Sequence, residues 1–286
     1  MASAFRTLGL FVALTALFMA VGWAVGGYFA GAPVLGSLVF LVLAGAINFA
    51  SYWWSDRIVL WSTRAKVVQP HEAPRLHRIV SQLALRANLP TPRIAIIPTD
   101  QPNAFATGRN PDNAVVAATE GIMRILDDDE LAGVMAHELA HVKNRDILVM
   151  SAAATVAGAI TFAARMFFWG TFFGGGNNRD GGSILGMIAL AILAPIAAIL
   201  VQLAISRSRE YMADAVGARI HGNPLALARA LRTLERGAQR IPMDTGSPSQ
   251  AHMYIVNPFR GGFVAGLFST HPPTEERVRR LERMTL

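Results

Sequence analysis

Cysteine is absent from this chain. Its absence excludes disulfides, thiol redox chemistry and every thiolate metal site at once. Any metal held here must be held by histidine and carboxylate. Charge is scarce too: 16% of residues are Asp, Glu, Lys or Arg against 52% hydrophobic, and mean hydropathy is +0.36. That balance is too apolar for an ordinary soluble domain. The chain also lacks low-complexity tracts and any RNA- or DNA-binding motif. Its net charge of +7 and pI near 10.7 therefore read as attraction to anionic lipid headgroups, not nucleic acid.

Charge is missing altogether from two long runs, Leu8 to Ala30 and Val34 to Trp54, separated by Gly31-Ala32-Pro33. Ile147 to Phe173 and Ser183 to Ser206 form a second apolar pair, split by a Gly- and Asn-rich stretch at 174–178. Each run offers about 20 residues or more, enough at ~1.5 Å rise to span a ~30 Å hydrocarbon layer. The expectation is two transmembrane hairpins and a multi-pass membrane protein. Arg6 and Ala30-Gly31-Ala32 imitate a cleavable signal peptide. The first run outlasts an h-region of ~7–15 residues, however, and a second run follows at once, which favours a retained anchor. Arg165 would have to snorkel from the third run, and Pro195 should kink the fourth.

Lys and Arg concentrate in 55–146 and 207–286, while the connectors at 31–33 and 174–182 carry Arg179 alone. By the positive-inside rule the two basic regions and the N-terminus face the cytoplasm. Tyr52, Trp53, Trp54 and Trp61 would form an aromatic belt at that interface. The organisation expected is a hairpin at 1–54, a first cytosolic part at 55–146, a second hairpin at 147–206 and a second cytosolic part at 207–286. The cytosolic parts together hold about 170 residues, the size of one domain.

Within them, Leu76, Ile79, Val80, Leu83 and Leu85 give Pro74–Asn88 helical periodicity, and Arg93–Ile97 is a short β-branched run. Asn103-Ala104-Phe105-Ala106-Thr107-Gly108 and Ala114–Thr119 flank Asn110-Pro111-Asp112-Asn113, a turn sequence, and predict a hairpin in a small antiparallel sheet. An exposed edge strand there could bind a peptide by main-chain pairing, or be purely structural. Asn223-Pro224 should start a helix running to about Gln239. The stretch 241–262 reads as a long loop, and Pro272-Pro273-Thr274 opens a short basic helix ending near Met284.

The most informative run is His137-Glu138-Leu139-Ala140-His141. It lies in a helix announced by Asp127-Asp128-Asp129, N-cap residues whose charge suits the dipole. At i and i+4 the two imidazoles share a face and can reach one metal ion, while Glu138 points about 100° round the wheel and can hold a water. Leu131, Met135, Leu139 and Val142 make one bulky stripe; Gly133, Ala132, Ala136 and Ala140 make a small-residue face suited to close packing. Such a helix is buried nearly all round, so its histidines need partners. They are metal ligands or core histidines satisfied by carbonyls or carboxylates.

A hydrolytic zinc site needs a third protein ligand and keeps its fourth position for water. Ile147 stands where an all-histidine zincin would place its third histidine. The candidate is Glu210, in Ser206-Arg207-Ser208-Arg209-Glu210-Tyr211-Met212-Ala213-Asp214. One turn on, Asp214 could accept the free N–H of a ligating imidazole. Arg207, one turn before, could offset the charge. The same residues could equally form a solvated face with intrahelical Arg–Glu pairs. Glu120 and Asp146 fit less well as ligands; Asp146 is better placed to order the end of the His137–His141 helix.

Three segments in this order, 137–146, 206–214 and Ser-Thr-His-Pro-Pro-Thr-Glu-Glu-Arg at 269–277, resemble the HtpX membrane metalloproteases, a group related to the CaaX prenyl endopeptidases. The resemblance spans nearly the whole chain. It implies a mostly α membrane protein with a cytosolic zincin-like α+β protease domain. It implies a zinc-dependent endopeptidase in the bacterial cytoplasmic membrane, active on damaged or misfolded membrane proteins in quality control and stress response. One zinc ion would be held by His137, His141 and Glu210, with Glu138 as catalytic base. His271 would sit near the site and steady the oxyanion, or else simply turn the chain before Pro272. Asn103, Ala104, Phe105, Ala106 and Thr107 would line the substrate. Two other readings stay open: a prenyl-protein processing peptidase, and a metal transporter or sensor without catalysis. The latter would place ionisable ligands inside its spans.

Overall fold

Two long helices open the chain, α1 (Ala2–Ala30) and α2 (Pro33–Trp53). The computed structural model describes residues 2–153, 207–240, 255 and 272–286. Gly31 takes φ +58, the left-handed conformation that glycine adopts freely, and Pro33 presets the first turn of α2, so the chain reverses within three residues. Small residues let the two helices touch: a Cβ on Gly36 would lie 2.8 Å from the Gly26 Cα. Asn48 Nδ2 donates across the pair to Thr15 Oγ1 at 3.1 Å. Pro33–Trp53 is long and apolar enough to cross a membrane, with mean hydropathy 2.1; in α1 the apolar stretch Phe11–Trp23 is shorter. Among the described residues there is therefore one clear span where two hairpins were expected. The stretch 147–153 is helical; the rest of the expected second hairpin, with Arg165 and Pro195, lies outside the described residues. So do His271 and all of the expected loop at 241–262 except Ile255.

Helix α3 (Ser55–Ser62) follows α2 after Trp54 and lays Val59 and Leu60 on a sheet. The strands are β1 (Lys66–Val67), β2 (Arg93–Ile97), β3 (Ala104–Thr107) and β4 (Val115–Thr119), in the order β1-β2-β4-β3. The expected β3–β4 hairpin is present and antiparallel, with Phe105 opposite Ala117. The sheet as a whole is mixed, not antiparallel, because β2 and β4 run parallel. The chain leaving β2 passes over one strand position before β3, and β4 returns into that gap. No local pattern encodes such an order. Asn110 caps the intervening turn by accepting from the Asn113 amide at 2.9 Å.

Helix α4 (Pro74–Ala87) buries Leu76, Ile79, Val80 and Leu83 as expected, but leaves Leu85 78% exposed. Leu85 lies about 200° round the helix from Leu83, on the far side of the stripe. The short α5 (Glu120–Ile125) is capped by Thr119, whose hydroxyl accepts from the Ile122 amide.

Helix α6 (Asp128–Lys143) is the centre of the domain. It opens with a full capping box between Asp127 and Glu130, and Leu131 through Val142 are all buried. Around it pack α4, β3 and β4, then α7 (Arg207–His221) and α8 (Pro224–Arg240), with α9 (Thr274–Glu282) beyond. The small-residue face makes this possible: a Cβ on Gly133 would lie 2.8 Å from the Leu227 amide nitrogen of α8. Asn223 caps α8, its Oδ1 accepting from Leu225 and Ala226 at 3.1 and 3.3 Å. Asp129 then ties the start of α6 to the α7–α8 turn through His221, Asn223 and Arg229.

Candidate metal centre

The helical period brings His137 and His141 together on α6, their Nε2 atoms 3.2 Å apart. Glu210 reaches them from the first turns of α7, with Oε2 3.6 Å from His137 Nε2 and Oε1 3.6 Å from His141 Nε2. All three residues are buried, and they form a group able to hold one metal ion. Ligand atoms placed tetrahedrally at ~2.0–2.1 Å from zinc sit ~3.3–3.4 Å from one another. The three separations observed bracket that value, and those to Glu210 are too long for direct hydrogen bonds. Two imidazole nitrogens, in hydrogen-bond contact with each other, and a carboxylate thus converge on one point, and the donor set fits zinc.

Asp214, one turn along α7 from Glu210, lies 2.9 Å from His137 Nδ1. A carboxylate there accepts the Nδ1 proton and leaves the Nε2 lone pair turned toward the metal position. Asp214 is held in turn by Arg277 of α9, whose Nε and Nη2 donate to its two oxygens at 2.9 and 2.7 Å. Arg277 Nη1 also donates to the Ile255 carbonyl at 3.1 Å. Asp146 stands 3.6 Å from His141 Nδ1, and its amide donates to the His141 carbonyl at 2.9 Å, so it does order the end of α6. Arg209 pairs with Asp146 at 3.3 Å.

Glu138, next to His137 on α6, reaches β3 with its carboxylate and stays close enough to His141 and Glu210 to feel their charge. The β3–β4 register turns the N–H and C=O groups of Ala104 and Ala106 away from β4. Ala104 donates to its neighbour's Asn103 Oδ1 at 2.8 Å, and Ala106 donates to the Glu138 carboxylate. The strand is an edge, as expected, but it is not exposed: Ala104, Phe105, Ala106 and Thr107 are all buried. Thr107 meets Ser151 at 2.8 Å, and Ile255 donates to Asn103 Oδ1 at 3.2 Å.

Burial and charge set the protonation of the site. Burial pushes the Glu138 carboxyl up to about 8; the nearby His141 pulls the other way, and Glu210 adds to the rise. Burial drives His137 down to about 4 despite Asp214. Burial also opposes charge on His141, but Asp146, Glu210 and Glu138 outweigh it and raise the imidazole to about 9. Asp214 would be raised by burial, yet the Arg277 guanidinium and His137 hold it at about 2.

One expected residue falls elsewhere. Arg207 is exposed at the start of α7, because one turn before Glu210 the helix has not yet entered the core. The offsetting cations are Arg277 and Arg209. In the sequence Arg277 stands at the end of the 269–277 motif, in a stretch that reads only as a short basic helix. Its burial beside Val278 and Leu281 gives it away, and apolar neighbours at positions 278 and 281 are the signal that could have found it.

Residues 70–285 match peptidase family M48. A protein from Syntrophobacter fumaroxidans named as a protease HtpX homolog is 56% identical over 288 residues, covering 99% of this chain and all of that one. One of the same name from Thermococcus sibiricus is 52% identical over 283 residues, covering 98% and 95%. The crystal structure of S. mikatae Ste24p aligns with a TM-score of 0.48 at 18% identity, covering 98% of this chain and 65% of that one. The chain belongs to peptidase family M48, among the HtpX proteases, and is a membrane zinc metalloendopeptidase.

Proposed function

We propose that the protein cuts peptide bonds in misfolded or damaged membrane proteins at the cytosolic face of a bacterial inner membrane, as part of protein quality control. The observation that carries this reading is the meeting of His137, His141 and Glu210 beside a base, Glu138, hydrogen-bonded to the edge strand β3. His137, His141 and Glu210 are the zinc ligands in this reading. Bound there, zinc supplies the Lewis acidity that polarises a scissile carbonyl and acidifies a water. Glu138 takes the proton from the attacking water and returns it to the leaving amine. Ala104 and Ala106, with Asn103, Phe105 and Thr107, offer the strand along which a peptide pairs once the contacts now covering it give way. Asp214 and Arg277 hold the His137 tautomer.

The basic regions 55–146 and 207–286 face the cytoplasm, anchored by hairpins at 1–54 and 147–206, and His271 lies near the oxyanion. The Gly-packed α1–α2 pair supports the first hairpin. Ligands carried on α6 and α7, off the apolar α2, support catalysis over metal transport.

The test is purified protein, analysed for zinc, given a membrane protein with an unfolded cytosolic loop and a matched soluble unfolded polypeptide. Cleavage that stops with chelator and in Glu138→Ala, and that favours the membrane protein, is expected. Cleavage persisting in Glu138→Ala would overturn the assignment of the base. Preference for a prenylated C-terminal peptide would move the substrate class to prenyl-protein processing.

A further inference from the structure

Helix α3 has two faces. Val59 and Leu60 are buried against Ala95, Phe105, Val115 and Ala117 of the sheet. The other face carries Arg57 and Trp61, four residues apart, and is flanked by Trp54 at the N-cap and by Arg64 just past the C-cap. All four are exposed, Trp61 at 84%. Asp56 is the only acidic residue between Trp54 and Lys66, and it is turned aside into an ion pair with Arg93 of β2. The outer face is therefore aromatic and purely cationic. Arg64 follows the helix C-cap at φ +55, a left-handed position where glycine is the ordinary choice. An arginine there keeps a cation on this face at a conformational cost.

The face is continuous with the membrane span. Helix α2 ends at Trp53 and α3 begins at Ser55. Arg109, in the loop after β3, stacks its guanidinium 4.6 Å from the Trp53 ring. The strand beside Glu138 is thus fastened to the end of the span twice, through Phe105 under α3 and through Arg109.

We propose that α3 lies flat in the anionic headgroup layer, outer face down, with Trp54 and Trp61 at the headgroup–acyl boundary and Arg57 and Arg64 on lipid phosphates. The sheet it carries then holds β3 at the membrane surface, and the enzyme acts on chain emerging from the bilayer. This substrate consequence rests on the peptidase reading above; the lipid contact does not.

The absence of cysteine makes single-site labelling clean. The full chain in nanodiscs of phosphatidylcholine with phosphatidylglycerol carries a spin label at Trp61→Cys, at Leu38→Cys on α2, or at Leu85→Cys on α4. Immersion at position 61 intermediate between 38 and 85 is expected; a label at 61 as open to a water-soluble relaxant as one at 85 overturns the proposal. The double variant Arg57→Glu/Arg64→Glu tests the consequence. It should lose cleavage of a lipid-anchored peptide on the order of tenfold while cutting a soluble unfolded polypeptide at the wild-type rate. Equal rates on both substrates overturn surface presentation. A wild-type protein that cuts neither overturns the peptidase reading instead, and leaves the label to decide the lipid contact.

Discussion

Gly217 of α7 lies against the backbone of His137: a Cβ built on it would come within 2.8 Å of the His137 amide nitrogen and 2.9 Å of its Cα. Two backbones approach this closely only where one residue has no side chain. The same helix carries Glu210 two turns earlier and Asp214 one turn earlier, so the spacing between α6 and α7 sets the distance from Glu210 to both imidazoles.

Gly217→Ala should therefore push α7 off α6. Overpacking at a helix crossing costs about 1–3 kcal/mol, and the expected outcome is a lower melting temperature together with weakened zinc retention. Thermal unfolding and metal analysis of the same preparation check it. Unchanged zinc affinity would mean that the Glu210 carboxylate does not depend on this contact.

Glu138→Gln should keep the metal and lose the chemistry. The amide cannot take a proton from water, and a positioned general base contributes about 10²- to 10⁴-fold. Peptide cleavage should fall within that range at wild-type zinc content. A variant that also loses zinc would make Glu138 a structural support of the site.

Glu210→Ala removes one of three ligand groups, and zinc should be lost on dialysis. Asp214→Ala leaves all three in place but frees the His137 ring, and a drop of about 10- to 100-fold in affinity is expected. Competition with a chromophoric chelator measures both. An ordering with Asp214→Ala the more damaging would exchange their roles.

Zinc affinity should rise with pH. In the metal-free protein His141 is protonated below about 9 and Glu138 below about 8, and a ligating imidazole must be neutral. Binding at pH 7 therefore releases protons, on the order of one to two per ion. Affinity climbs between pH 6 and 9 as that cost disappears. Titration calorimetry in buffers of different ionisation enthalpy counts the protons; none released would mean that His141 is already neutral.

Much of the site is legible in the letters because it is local. The four-residue spacing of His137 and His141, the same spacing of Glu210 and Asp214, the Asp127 cap, the Asn223 cap and the turn at Asn110–Asn113 each depend on neighbours within a few residues. Leu85 shows the limit of that reading, since an apolar residue off the stripe counts toward composition and not toward the core. Arg207 and Arg277 show a second limit. Both are arginines on charged helices, and only the packing of α9 on α7 decides that the second is buried and paired with Asp214.

The letters alone determined which atoms could bind metal, with no thiol to compete, and which of them share a helix face, because a helix repeats every few residues whatever surrounds it. Tertiary structure decided that Glu210, 69 positions beyond His141, closes on the same point, that β4 slots between β2 and β3, and that Ala106 turns its amide toward Glu138. Those outcomes depend on how close two backbones can come and which apolar faces cover each other, quantities that no local period contains.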